Sequence, residues 1–271
     1  MDPGTGLTIL GSAIGGAKLV EKLLGPTADY VGSGLRSWAE KRVKNVGRIF
    51  EKAAEKLGDK INKPGSVPPR VLKEILDEGS YCDDELTAEY FGGVLASSRG
   101  GTSRDDRAAS YLKLTSELSA YQIRFHYVSY MAWRALFTGS GMRPTFNEDL
   151  EKMWLFLPSS FLNIAMDFTT DEPAADILMH CMAGLKRHDL INLSHWGNPE
   201  HVNPLNKQRN WCEVSSEWGL CVEPTQYGID YWLWAVGLGT VSRTRFLDGD
   251  ITLPKLPDII VPAGPIKLVK V

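Results

Sequence analysis

Apolar side chains recur at spacings of three and four through the first 137 residues, and the pattern changes after residue 145. Residues 27–61 carry Leu35, Trp38, Val46, Phe50, Ala53 and Leu57 at such spacings. This periodicity predicts one long helix with a single buried stripe. Residues 7–24 show helix spacing too, and Gly25-Pro26 breaks it. Pro68 and Pro69 lead into a short helix over 70–78. Asp83 then stands where an N-cap is needed, ahead of Leu86, Tyr90, Phe91, Val94 and Leu95. Ser103 opens a helix running to about residue 117. Ser119, with Gln122 three residues on, has the capping-box spacing. It opens a helix holding Ile123, Tyr127, Tyr130, Met131 and Leu136, which residues 139–144 terminate.

In the second half, Asn147 caps a short helix through Phe156, and Pro158 stops it. Residues 160–168 fit helix or strand. Asp171 and Pro173 start a helix with Ile177, Leu178, Cys181, Met182 and Leu185, ending in KRHDLINL. Strand-like runs near 210–214 and 219–222 flank a turn at Ser215-Ser216, and Thr225 caps a helix over 226–236. Helix, two-stranded ribbon and helix in that order predict a winged-helix-like module. A continuous helix through 211–222 would refute it. From residue 252, Pro254, Pro257, Pro262 and Pro265 interleave with Ile259, Ile260, Val261 and Ile266. That composition predicts an extended tail, suited to an edge strand or to lying across the body. The expected fold is mainly α. A Gly-rich apolar helix (1–24) and a helical N-terminal domain (25–144) precede a C-terminal winged-helix-like α+β module (145–251) and a Pro-rich tail (252–271).

A chain of 271 residues, 43% hydrophobic and 23% charged, can bury a core without metals or disulfides. A net charge of −3 gives no global electrostatic argument for nucleic acid, so any such footprint must be local. Cys82, Cys181, Cys212 and Cys221 form no C-x-x-C pair and read as small core residues. The N-terminus shows no basic region or cleavage site, and its apolar run, 5–17, is too short to span a bilayer. A reduced, cytoplasmic protein is expected, peripheral at the membrane at most.

Local charge and small-residue spacing supply the candidate sites. Residues 36–63 hold nine Lys/Arg against four Asp/Glu. Arg48, Lys52, Lys56 and Lys60 line up four apart beside Glu51, Glu55 and Asp59, which predicts a solvated, ion-paired face or an anion-binding one. Charge reversal at Lys52 and Lys56 should then leave folding intact. Residues 77–89 hold six acids and no Lys or Arg, which suits helix capping better than a metal site. Lys186, Arg187 and His188 form the basic cluster of the winged-helix-like part. Gly11 and Gly15 make a G-x-x-x-G, with Ser12 and Gly16 one residue on. Two readings fit: tight packing within the chain, or self-association and membrane activity. Gly11→Leu and Gly15→Leu should break that packing where Leu7→Ala does not.

No Walker A, G-x-S-x-G, H-E-x-x-H or dinucleotide fingerprint is present, and GSAIGG follows no strand. His180-Cys181 with Cys212 and Cys221 has no standard zinc spacing. No catalytic, cofactor or metal residue is assigned.

The stretch LLGPTADYVGSGLRSWAEKRVKNVGRIFEKAAEKL resembles the abortive-infection alpha family of bacterial defence loci, with Gly25, Pro26, Trp38, Ile49, Glu51, Lys52 and Ala53 at matching places. VPPRVLKEILDEGSYCDDELTAEYFGGVLASS is similar as well, through Pro68, Pro69, Leu72, Asp83, Asp84, Glu85, Leu86, Leu95 and Ala96. YLKLTSELSAYQI resembles the following helix pair, so the likeness covers about residues 20–137. It is weaker in LKRHDLINL and EPTQYGIDYW. The shared pattern is helical packing without a catalytic signature. It implies a non-enzymatic anti-phage protein acting by binding and homo-oligomerisation, with a phage protein or nucleic acid as partner. The alternative is a membrane-disrupting effector using residues 1–24. An unrecognised hydrolase or nuclease ranks last.

Overall fold

The computed structural model describes residues 32–100, 104–208, 217–253 and 266–268. They are mainly helical with a small antiparallel sheet. The chain divides into two compact units. The first comprises residues 1–117 with Trp234–Gly239 and Pro254–Leu256; the second comprises Leu118–Leu233, Thr240–Leu253 and Pro257–Val271. The expected boundary at 144/145 therefore moves to 117/118.

In the first unit, α1 (Gly32–Leu57) runs into a 3-10 turn, Gly58–Asn62. It buries Val46, Ile49 and Ala53 against α3 (Glu85–Ser98). Between them come α2 (Pro69–Asp77), with proline in its first turn where no N–H is needed, and a 3-10 turn at Gly79–Tyr81. α4 (Arg107–Glu117) completes the helical set. The N-cap of α3 is Asp84, whose carboxylate accepts from Thr87 N–H at 2.7 Å. Asp83, expected in that role, instead binds Lys41 at 2.6 Å and Asn45 at 3.0 Å. Arg99 donates to the carbonyls of Lys60, Ile61 and Lys63 and so closes the turn after α1. Trp234, distant in sequence, joins this core, with its ring 5.1 Å from that of Tyr111.

In the second unit, α5 (Ala120–Phe137) opens on the expected capping box of Ser119 and Gln122. It buries Phe125, Tyr130 and Trp133, and α8 (Ala174–Arg187) packs on it. A single turn, α6 (Asn147–Leu150), has Phe146 at its N-cap position without a side-chain cap, and Asn147 inside it; Trp154–Pro158 is a strand, β1, where a helix is expected. All five β1 residues are buried, so no alternation marks it and its apolar run reads equally as helix. The ambiguous segment is helix α7 (Ser159–Ala165).

The end of α8 also departs from expectation. Asp189 takes a left-handed backbone, φ 56°, and Leu190 N–H reaches back to Leu185 O at 2.8 Å. This closure turns the chain into β2 (Ile191–Gly197), so HDLINL is a helix stop and a strand. After α9 (Pro199–Gln208) comes β3 (Gly219–Pro224). Its neighbours are β2 and β1, both antiparallel, with His195 opposite Cys221 and Phe156 opposite Cys221. The ribbon expected between 210–214 and 219–222 is thus replaced, as far as β3 is concerned, by pairing with β2 and β1; residues 209–216 lie outside the described ones. α10 (Gln226–Ala235) follows, and β4 (Ile266–Leu268) adds an edge strand to β1. The sheet order is β2-β3-β1-β4.

Candidate interaction sites

The basic row of α1 lies against carboxylates of α3, and this overturns its expected exposure. The Lys56 side chain is only 2% exposed and its ammonium is 2.7 Å from Glu89, itself 8% exposed. Lys52, 19% exposed, bridges Glu85 at 2.6 Å and Glu89 at 2.8 Å. Arg48 lies 3.5 Å from Glu85 and donates to the carbonyl of Cys82. Lys60, beyond the helix, is exposed. Glu85 and Glu89, which hold these cations, stand on two turns of α3, a helix that carries no basic residue of its own. Burial pulls the Lys52 ammonium down, yet the hydrogen bonds and charges of Glu85 and Glu89 outweigh it and hold it above the lysine range. Burial pushes the Glu89 carboxyl up, and the two ammonium groups outweigh that in turn. The row is therefore a packing device: Arg48, Lys52 and Lys56 engage Glu85 and Glu89, and Lys60 is exposed.

Lys186 and Arg187 are exposed in the last turn of α8, and His188 caps it, donating its N–H to Gly184 O. The other end of α8 is acidic, with Asp171, Glu172 and Asp176. Ala175, His180 and Ala183 are exposed along the same helix. Gly11 and Gly15 lie outside the described residues, as does the expected helix 1–24.

One further feature escaped the sequence reading. A cleft of about 450 Å³ opens in the second unit, lined among others by Asn192, Glu223, Gln226, Asp230 and Arg243. Arg243 pairs with Asp230 at 2.6 Å and donates to Gln226 Oε1 at 2.7 Å. Gln226 donates in turn to Thr145 O at 3.0 Å and to Asn147 at 3.2 Å. Glu223, 2% exposed, accepts from Asn192 at 3.2 Å. Thr225 caps α10 as expected, accepting from Gly228 N–H at 2.9 Å. These side chains come from segments some 100 residues apart, so no spacing in the sequence groups them. The cleft offers polar recognition by prearranged donors and acceptors.

The cysteines Cys82, Cys181 and Cys221 are buried, and burial pushes each thiol up to about 12, which keeps the thiolate scarce. Cys212 lies outside the described residues. Among the described residues no group of three or more His, Cys, Asp or Glu is placed to hold a metal ion. No helix among them is long and apolar enough to cross a membrane. Comparison with protein-family models finds no match, and no curated protein or solved structure matches the chain.

Proposed function

We propose that this chain is a binding protein of bacterial anti-phage defence, whose second unit is a winged-helix-like module that recognises a protein. The observation that carries the module is its chain order: strand β1, helices α7 and α8, strand β2, helix α9 in the long connection, strand β3, with β3 between β2 and β1. In that arrangement α8 occupies the place of the recognition helix. Charge then separates the two ligand classes. A recognition helix reads DNA with its N-terminal residues, and here that end carries Asp176 behind Asp171 and Glu172. Two exposed cations at the far end, Lys186 and Arg187, fall short of the several phosphate contacts behind strong salt-dependent binding. The exposed Ala175 and Ala183 of α8 have the small side chains that let another protein surface approach closely.

The biological setting is proposed from the resemblance read in residues 20–137 to the abortive-infection alpha family, and assembly of several copies belongs to the same proposal. Plaque counts on cells with and without the gene test it. The wild-type chain should reduce plaques of at least one phage. Ala183→Glu should abolish protection while the purified variant keeps its helical circular dichroism. Lys186→Glu with Arg187→Glu should leave protection in place. Protection lost on that charge reversal, with duplex DNA bound more tightly as salt falls, would replace the protein partner by nucleic acid. No protection against any phage would remove the defence reading.

A further inference from the structure

Helix α2 carries two apolar stripes where its own core needs one. Val71 and Ile75 are fully buried. Leu72 and Leu76, one residue out of phase, are 38% and 46% exposed, and Tyr81 just beyond the helix is 59% exposed. Arg70, Lys73 and Asp77 on the same helix show that polar residues serve where it faces water.

We propose that this outward face of α2, with Tyr81, is the dock for the chain's own N-terminal apolar segment, residues 5–24. Residues 5–17 carry no charge and include Leu7, Leu10 and Ile14; Leu19, Val20, Leu23 and Leu24 follow. The reach fits. The Arg42 guanidinium lies 4.1 Å from the Tyr81 ring and donates to Asp77 O, so α1 crosses at the C-terminal end of α2. Ten residues separate Arg42 from Gly32, the start of α1, which is about 15 Å of helix. Residues 25–31, fully extended, span up to about 25 Å, enough to return the chain to α2. On that return Lys22 and then Lys18 come first, beside the acidic run Asp77, Glu78, Asp83 and Asp84, where Lys73 and Lys41 offset Asp77 and Asp83 and a negative balance remains. The uncharged part then reaches Leu76 and Leu72. The charge order of the segment thus matches the charge order of the surface.

The test uses the full chain with a benzophenone amino acid in place of Leu76, prepared as an equal mixture of isotopically light and heavy protein. Irradiation should join position 76 to peptides within residues 5–24, in light–light and heavy–heavy pairs only. Light–heavy pairs would give the face to a second copy; links elsewhere, or none, would leave the segment undocked. Each of these overturns the proposal. A second measurement follows cleavage after Lys18 and Lys22 by a lysine-specific protease. Leu72→Glu with Leu76→Glu should speed it by roughly tenfold or more, because cutting tracks the released population. Ile164→Glu, at an exposed apolar site of the other unit, should not. An unchanged rate in the folded double variant overturns the proposal.

Discussion

His126 is fully buried, its ring 4.4 Å from that of Tyr130 and 5.0 Å from that of Tyr231. Burial pulls its pKa from 6.5 to about 3. The folded state therefore keeps it neutral where the unfolded chain binds a proton. Its contribution is fully present above about pH 6.5 and is lost as pH falls from there toward 3, at up to about 1.4 kcal/mol per pH unit. His126→Leu should flatten the fall in urea-measured stability between pH 6.5 and 5 by about 2 kcal/mol. An unchanged slope would mean that His126 is protonated in the folded protein. Lys56 makes a second case at this scale. Its ammonium and the Glu89 carboxylate are both out of water, so reversing the charge at 56 sets a second carboxylate beside Glu89, with Lys52 alone left to offset the two. Lys56→Glu should cost about 3–5 kcal/mol in denaturant unfolding, whereas Lys60→Glu should stay within about 0.5 kcal/mol. Equal, small effects at both positions would restore the exposed row that the spacing suggests.

At the scale of elements, legibility follows from where the determining contact lies. Ser119 with Gln122, Pro69, and Thr225 act through groups within four residues, and each helix start they mark stands in the structure. The row Arg48, Lys52, Lys56 is periodic in the sequence, but its burial depends on Glu85 and Glu89, over thirty residues away. β1 is invisible because both its faces are covered, and HDLINL misleads because a left-handed aspartate, not a glycine, ends α8. Close helix approach was expected at Gly11 and Gly15; among the described residues it occurs at Gly92 and Gly93. A Cβ on Gly92 would stand 2.6 Å from Lys52 Cβ, and one on Gly93 only 1.6 Å from the carbonyl oxygen of Ala235. Backbone on the far side leaves no room to adjust. Gly93→Ala should therefore destabilise the first unit by about 3 kcal/mol despite its better helix propensity. A variant as stable as wild type in thermal unfolding would show that the 234–239 segment does not pack there.

For the whole molecule, the consequential fact is that the first unit is not a continuous stretch of chain. Ser97 Oγ donates to Trp234 O and accepts from Gly239 N–H, both at 3.0 Å, and so holds the returning segment at both ends. The Trp234 ring meets Tyr111 and lies 5.5 Å from the Arg107 guanidinium. A linear reading of domains as 25–144 and 145–251 had no means to see this, because the chain leaves the unit at residue 117 and returns over a hundred residues later. It follows that a fragment ending at residue 144 lacks a large side chain of its own core. Loss of a buried tryptophan costs about 3–5 kcal/mol, a large share of the 5–15 kcal/mol that stabilises a typical domain. Trp234→Ala in the full chain should lower the unfolding midpoint of the first unit, and residues 25–144 alone should be cut rapidly by chymotrypsin. Adding residues 234–239 as a synthetic peptide should slow that cleavage in a concentration-dependent way, since binding to the folded state alone stabilises it. A fragment as protease-resistant as the full chain, with no effect of the peptide, would show that the returning segment is dispensable to the unit.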